Sequence, residues 1–292
     1  MPRLVWAAVA AVLVLSACLA AARLGGPEGT GRAGGPGTGA AKPAERRAPV
    51  VFFLGDSYTV GIRGIKPEGA YAAETARLLG WQVVVAGLAR TGFAGSGGTG
   101  KTFTSLFNEQ LSWRPTPDMV VLSGGHNDVR QPPAKVAQKA RLLMETVRKR
   151  WPRTQLVLMG PLWGGDPGPK ALKVRDVLRE AAAEMTVPFV DPLAGRWITG
   201  NVRKGTGNAD RLIRSDGTHP NPAGNLHIAR RLVADLRSMR LDRPVLGRTR
   251  VTYTPPSPAV PSPGPTGGHD QAIPGDGDEP DEVVPRPKRA RP

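Results

Sequence analysis

Cysteine is almost absent from this sequence. Its 292 residues include a single cysteine, Cys18, so the chain allows neither an internal disulfide bond nor a cysteine-based zinc site. Aromatic residues are also scarce, at 5% of the chain, and no nucleic-acid-binding motif is recognisable. Because few aromatic side chains are available to stack on bases, we expect no nucleic acid among the partners.

Acidic residues are in the minority. The chain carries 40 lysines and arginines against 24 aspartates and glutamates, which makes the formal net charge +16. Between residues 50 and 250 the basic residues number 30 and the acidic residues 16. This surplus favours an anionic partner, such as a lipid headgroup surface or an acidic envelope polymer. An arginine-rich composition without functional meaning would give the same counts.

The amino terminus has the order of features of an export signal. A positive start is followed by an apolar stretch and then by Leu15-Ser16-Ala17-Cys18. These four residues resemble a bacterial lipobox, in which Cys18 becomes lipidated. Two alternatives remain open: an ordinary signal peptidase cuts nearby, or the apolar stretch stays as a membrane anchor. We therefore predict a leader over residues 1–22, and all three cases place the domain outside the cytoplasm.

Two segments have the composition of flexible chain. Residues 23–48 are rich in glycine, alanine and proline, which cannot bury a core, and we interpret them as a linker. Residues 251–292 are rich in proline and end in a short basic run, and we interpret them as a disordered tail. The folded domain is predicted between them, over residues 49–245.

The middle of the chain alternates short apolar runs with helical patterns. Apolar side chains recur at steps of three and four in the intervening segments, as on one face of a helix. This alternation predicts a mostly parallel five-stranded sheet in a three-layer α/β/α sandwich. Such a fold binds its ligands at the carboxyl ends of the strands. The predicted strands cover residues 50–54, 83–86, 119–122, 156–159 and 189–190.

Three strand ends carry candidate groups for acyl-transfer chemistry. The first strand runs into Gly55-Asp56-Ser57, which places a serine at a helix start, where its N–H can face a developing oxyanion. The second is followed by Gly92, whose lack of a side chain lets the backbone approach a ligand. The third is followed by Asn127, whose amide can point at negative charge. Each segment alone is an ordinary turn sequence.

A fourth segment supplies a candidate general base. Asp216 and His219 are three residues apart in a turn before the last predicted helix, so the carboxylate can reach the Nδ1–H of the imidazole. The other Nε2 atom is then free to face a nucleophile. His227 is read as a surface residue and His126 as a loop residue without a role.

Together these four segments resemble the four sequence blocks of the SGNH hydrolases, also called the GDSL family. The resemblance implies a flavodoxin-like fold and a serine enzyme that deacylates esters, with no metal or cofactor. Carried over by position, Ser57, Asp216 and His219 are the triad, and Ser57, Gly92 and Asn127 are the oxyanion donors. Many members have an asparagine shortly before the second-block glycine, which this chain lacks. The glycine assignment is therefore open, with Gly95 as the alternative.

The resemblance and the leader together predict an exported serine esterase. Acylated envelope carbohydrates or lipids are the candidate substrates. The same acyl-enzyme would also serve an acyltransferase, and a non-catalytic envelope-binding protein is a third reading. Trp163, after the fourth strand, is a candidate for the substrate pocket, and Trp197 is a second one, although core packing is the ordinary role of either residue.

One motif points to a different function. Residues 95–102 match the phosphate-loop pattern G-x-x-x-x-G-K-[ST] letter for letter. A phosphate loop follows a strand directly, whereas the predicted second strand ends near residue 86. Nucleotide binding is therefore the weaker alternative, and we interpret these residues as a glycine-rich loop at the rim of the ester site.

Overall fold

The computed structural model describes residues 47–62 and 64–247. The predicted leader with Cys18, nearly all of the predicted linker and the predicted tail lie outside the described residues. Within the described part, no helix is both long enough and apolar enough to cross a membrane.

Five parallel strands form one sheet, as the sequence predicts. Their order is β2-β1-β3-β4-β5, which is the flavodoxin-like order. Four of them are buried along most of their length because helices cover both faces, which explains their nearly continuous apolar sequences. The bounds are β1 Val50–Gly55, β2 Gln82–Gly87, β3 Met119–Ser123, β4 Gln155–Met159 and β5 Phe189–Val190.

Helices cover both faces of the sheet and complete the three layers. One core lies between the sheet and helices α3, α4 and α5, and it includes Phe52, Leu122 and Leu143. The other lies between the sheet and helices α2 and α7, and it includes Phe53 and Leu232. The bounds are α1 Ser57–Val60, α2 Tyr71–Leu79, α3 Phe103–Leu106, α4 Pro133–Arg150, α5 Pro169–Glu184, α6 Ala209–Leu212 and α7 Pro222–Ser238.

The strand order defines where a ligand can bind. β1 lies between β2 and β3, so the chain leaves β1 to one side for β2 and then returns to the other side for β3. The connections therefore diverge at the carboxyl ends of β1 and β3 and open a crevice there. Ser57 follows β1 and Asn127 follows β3, so both lie at this crevice.

Candidate active site

Ser57 is held at the carboxyl end of β1 by tight packing. Asp56 is the N-cap of α1, and its carboxylate accepts a hydrogen bond of 3.0 Å from the backbone N–H of Tyr58. Gly55 has no room for a side chain, because a Cβ there would lie 2.8 Å from the Ser123 carbonyl oxygen and closer still to Thr59. The strand can therefore turn sharply into the helix and leave Ser57 as its first residue.

His219 and Asp216 reach Ser57 from the loop before α7. The Nδ1–H of His219 donates to Asp216 Oδ2 over 2.9 Å, and the Nε2 atom lies 3.0 Å from the hydroxyl oxygen of Ser57. With the proton on Nδ1, Nε2 is an acceptor for the serine O–H. The three groups form one continuous hydrogen-bonded chain, as the resemblance implies.

The carboxylate of Asp216 is strongly held in its ionised form. Burial acts to raise its pKa, but the backbone N–H groups of His219 and Thr218 donate to Oδ1 over 3.0 and 2.9 Å. These bonds and the one from the imidazole outweigh burial and lower the pKa of Asp216 to about 2. The group is a permanent anion at neutral pH and fixes the tautomer of His219.

Tyr58 supports the histidine, a contact that sequence reasoning missed. Its hydroxyl donates to the carbonyl oxygen of Thr218 over 2.6 Å, and its ring centroid lies 5.7 Å from that of His219. Burial raises the pKa of Tyr58 well above its ordinary value, so the phenol stays a donor. The residue next to Ser57 is thereby bonded to the residue next to His219, which joins two segments far apart in the chain.

Asn127 lies at the same crevice and is oriented by two acceptors. Its Nδ2 group donates to the Thr91 carbonyl over 2.9 Å and to Asp56 Oδ2 over 3.3 Å. Asp56 is 2% exposed, and burial raises its pKa to about 7. The amide of Asn127 is thus turned toward the β1 end of the crevice, where the resemblance places it.

The two candidate glycine donors differ from expectation. The N–H of Gly92 donates to the Gly95 carbonyl over 2.8 Å, and the N–H of Gly95 donates to Asp128 over 2.7 Å. Both groups are therefore used inside the loop. A Cβ on Gly92 would come within 2.4 Å of the Asp128 carboxylate, so the glycine is required for close packing.

The loop after β2 offers other donors. Among the described residues, the backbone N–H groups of Ala89 and Arg90 have no hydrogen-bond acceptor. The preceding N–H, of Leu88, donates to the Gly55 carbonyl over 3.3 Å, which places this part of the loop next to the strand end that carries Ser57. Arg90 also has a positive φ of 69°, a backbone strain often found at functional sites.

The residues that lead into the segment 95–102 are folded around a carboxylate. The N–H groups of Phe93, Ala94 and Gly95 all donate to the buried Asp128 over 2.7–3.0 Å. Strand β2 ends at Gly87, well before this segment, and the Lys101 ammonium is paired with Glu109. These contacts are those of a structural loop and differ from a strand-linked phosphate loop.

Trp163 lines a cavity beside the triad, and His126 packs against it. Their ring centroids are 4.5 Å apart, and the His126 ring lies 5.3 Å from that of Tyr58. Burial lowers the pKa of His126 to about 4, so its ring is neutral at neutral pH. His126 thus packs against both Tyr58 and Trp163 beside the site, contacts that the sequence interpretation did not predict. Trp197, by contrast, is only 1% exposed and belongs to the core.

His227 also differs from the sequence interpretation. It is half-buried on α7, and its Nε2 atom lies 2.8 Å from the Trp197 carbonyl oxygen. The helix turns this face toward the loop after β5, which the local sequence pattern did not reveal.

Two cavities adjoin the triad and differ in size. The larger has a volume of about 310 Å³ and is lined mainly by polar groups and by the backbone of glycine turns. Its walls include Trp163, Asp166, Asn201, Arg203 and the triad residue Asp216. The smaller, of about 10 Å³, lies at Ser57 itself between Ile62, Ile65 and His219.

Comparison with known proteins identifies the family. The sequence profile of the GDSL-like lipase/acylhydrolase family matches residues 53–226, more than half of the chain. The chain belongs to this family. A GDSL lipase of Mycobacterium tuberculosis (strain ATCC 25618 / H37Rv), Rv0518, is 32% identical over 206 residues, which cover 65% of this chain and 82% of that protein. As a member of the GDSL family, the chain is an ester-cleaving hydrolase.

Solved structures share the fold of this family member at lower identity. A family two carbohydrate esterase from Clostridium thermocellum, solved with cellohexaose, has a TM-score of 0.51 and 19% identity over 66% of this chain and 65% of that chain. A family two carbohydrate esterase from Corynascus thermopiles (Myceliophthora fergusii) has a TM-score of 0.50 and 21% identity over 66% and 68%. These structures support the three-layer sandwich.

Proposed function

We propose that this chain is an exported serine esterase in which Ser57, His219 and Asp216 act as the catalytic triad. The observation that carries the proposal is the continuous hydrogen-bonded chain from the Ser57 hydroxyl through both imidazole nitrogens to a carboxylate with a pKa of about 2. A nucleophile, a base and an orienting anion in this order are what acyl transfer through a serine requires.

The reaction follows from these contacts. His219 Nε2 takes the proton of Ser57 as Oγ attacks the ester carbonyl carbon, and Asp216 stabilises the imidazolium. The tetrahedral intermediate collapses with proton transfer from His219 to the leaving alcohol, which leaves an acyl group on Ser57. Water, deprotonated by the same imidazole, then attacks the acyl carbon, and the imidazolium returns that proton to Ser57 Oγ as the acid leaves.

Three donors would hold the oxyanion. The first is the N–H of Ser57. The second is the side-chain amide of Asn127, which would exchange its present acceptors for the substrate oxygen. For the third we propose the N–H of Ala89 or of Arg90 in place of a glycine, since these N–H groups have no acceptor among the described residues. A donor in such a position typically contributes about 3 kcal/mol to lowering the barrier.

The cavities suggest an ester with a short acyl chain and a polar alcohol. The space of about 10 Å³ at Ser57 is about the size of one water molecule, so it excludes a long acyl chain and favours the smallest one, acetyl. The larger polar cavity, with an aromatic wall at Trp163, suits a hydroxyl-rich alcohol such as a sugar, which stacks on an aromatic ring and hydrogen-bonds at its edges. The name of the mycobacterial relative, a lipase, points to a longer acyl chain, and the two possibilities are separable.

Export rests on the sequence alone. The charged start, the apolar stretch and the small residues before Cys18 are those of a leader, and the glycine-rich segment after it is suited to a tether. We propose a location on the outer face of the cell membrane or in secreted form.

The experiment is hydrolysis of p-nitrophenyl esters of increasing chain length and of acetylated sugars by the full chain. We expect turnover to be highest for acetyl esters and to be abolished by Ser57→Ala. Ser238→Ala, which makes the same change at an exposed position on α7, is the control. Activity retained by Ser57→Ala would refute the serine mechanism, and a preference for long chains would refute the acetyl assignment.

The same assay separates hydrolysis from acyl transfer. A free sugar is added as acceptor, and the products are analysed for free acid and for acylated sugar. Free acid as the main product supports the esterase, whereas acylated sugar as the main product identifies an acyltransferase with the same acyl-enzyme.

A further inference from the structure

The end of the domain opposite Ser57 is formed by the segments that enter the strands. We call it the amino-end face and define it by Arg47, residues 112–118, residues 148–154 and residues 237–247. Contacts bring these segments together: Arg47 binds Asp118, the Arg150 guanidinium donates to the carbonyls of Ser112 and Arg114, and the Gly247 N–H donates to the Arg153 carbonyl.

This face is strongly basic. The cations that it presents in exposed positions include Lys149, Arg150, Arg153, Arg237, Arg240 and Arg243. Its own acidic side chains are Asp118, which is buried and bound to Arg47, and the half-buried Asp242. Two nearby glutamates are already paired, Glu109 with Lys101 and Glu184 with Arg141. Exposed cations on this face thus outnumber its acidic side chains, which favours an anionic partner surface.

Two apolar side chains project from the same basic face. Trp113 is 64% exposed, with the Arg114 guanidinium 4.4 Å from its ring centroid, and Val245 is 52% exposed. Val245 lies beside the Asp118 contacts, since its neighbour Leu246 donates to the carboxylate of Asp118. An exposed tryptophan among arginines is the combination found at the headgroup level of membranes.

Both ends of the described chain are bound at this face. The Arg47 side chain donates to Asp118 over two bonds of 2.7 Å, and the N–H of Leu246 donates to the same carboxylate over 3.2 Å. The chain that leads to residue 47 carries the predicted leader, so any membrane tether enters the domain here. A tether alone leaves the domain free to rotate, whereas charge attraction at this face would orient it.

We propose that the amino-end face docks on an anionic lipid membrane, with Trp113 at the level of the headgroups. Arginine and lysine side chains near such a surface are attracted to its negative potential. The crevice with Ser57 is at the carboxyl ends of the strands and then points away from the bilayer. The docked enzyme acts on esters in the surrounding envelope and leaves the lipids of its own membrane untouched. The docking does not depend on the triad.

The test follows the fluorescence of Trp113 in the full chain bound to vesicles that contain brominated phosphatidylcholine, a quencher confined to the bilayer. The Trp113 signal is the difference between the chain and Trp113→Phe, which cancels the other five tryptophans. We expect this signal to be quenched at least twofold in vesicles with phosphatidylglycerol and to be unquenched in neutral vesicles. High salt should abolish the quenching, because it screens the attraction.

Matched charge reversals complete the test. The double variant Lys149→Glu with Arg153→Glu reverses two exposed charges of the face and should remove the quenching. The control, Lys170→Glu with Lys173→Glu, reverses two exposed charges at the start of α5 and should leave the quenching intact. Unaltered hydrolysis of a soluble ester would show that both variants are folded. Equal quenching in both double variants would overturn the proposal. So would binding of an anionic polymer to the face while Trp113 stays unquenched in anionic vesicles.

Discussion

At the scale of single residues, Asp216 makes the sharpest prediction. Asparagine at this position removes the anion that fixes the tautomer of His219 and stabilises its charged form. We expect Asp216→Asn to lower kcat by about 10²–10⁴-fold with a small change in KM. Asp210→Asn, the same change at an exposed position on α6, should have no effect on steady-state kinetics. Equal losses in both variants would contradict the assigned role.

Asn127 tests the oxyanion site in the same way. Its Nδ2 group is the only side-chain donor assigned to the oxyanion, and the resting acceptors Thr91 and Asp56 keep it in place. We expect Asn127→Ala to lower kcat about 10²–10³-fold while the binding of substrate is little changed. A variant that raises KM at constant kcat would show that Asn127 serves ground-state binding instead.

The raised pKa of Asp56 predicts how the free energy of unfolding depends on pH. Burial raises its pKa in the folded chain to about 7, whereas an unfolded aspartate titrates near 4. Between these values the folded state binds the extra proton, so the free energy of unfolding falls as the pH rises from 4 to 7, by about 4 kcal/mol at most. Denaturant unfolding at several pH values should show this slope. Asp56→Asn, which cannot ionise, should flatten it; an unchanged slope would assign the effect to other groups.

At the scale of elements, the contact between the ends of β1 and β2 is the tightest constraint on the site. Gly87 has a φ of 141°, and a Cβ there would lie 1.9 Å from the Gly55 carbonyl oxygen, a backbone atom that cannot move aside alone. We expect Gly87→Ala to lower the free energy of unfolding by about 3 kcal/mol and to reduce activity, because Gly55 leads directly to Ser57.

Gly80, which ends α2, is the matched control. Its φ of 67° is also left-handed, but a Cβ there would meet nothing within 4 Å. Gly80→Ala should cost only the backbone strain, about 1–2 kcal/mol, and leave kcat unchanged. Chemical denaturation and ester turnover of the two variants measure both quantities, and equal effects on activity would refute a special role for the β1–β2 contact.

At the scale of the whole molecule, one buried carboxylate joins both ends of the described chain. Asp118 accepts hydrogen bonds from Arg47, from the N–H of Val50 at the start of β1, and from the N–H of Leu246. Hydrogen bonds from Arg47 and these N–H groups overcome the effect of burial and lower the pKa of Asp118. We expect Asp118→Ala to lower the free energy of unfolding by about 2–3 kcal/mol, because two backbone donors lose their acceptor.

Arg47→Ala separates the ion pair from the backbone bonds. The Arg47 side chain is 59% exposed, so its loss should lower the free energy of unfolding much less than Asp118→Ala does. Hydrogen exchange should report faster exchange at both Val50 and Leu246 in Asp118→Ala. Fast exchange at one of the two positions alone would show that the carboxylate does not couple the ends.

Local sequence patterns predict much of this fold. The apolar runs predict all five strands, and the structure lengthens four of them by a residue or two, as in β1, which ends at Gly55. The turn spacing of Asp216 and His219 likewise predicts their hydrogen bond, because three residues of separation bring the groups together without help from the rest of the chain. The alternation of apolar and polar residues and the geometry of a short turn both depend on residues close in the sequence, so they can be read without the tertiary structure.

The contacts between distant segments at the site depend on the tertiary structure. Tyr58 meets Thr218, which lies 160 residues away, and His126 meets Trp163, because two separate loops converge over the β1–β3 crevice. The Gly92 N–H is engaged by the Gly95 carbonyl in a loop that Asp128 holds from another segment, which is why we propose Ala89 or Arg90 as the donor instead. Which N–H faces the substrate depends on the packing of distant segments, and no local pattern in the sequence carries that information.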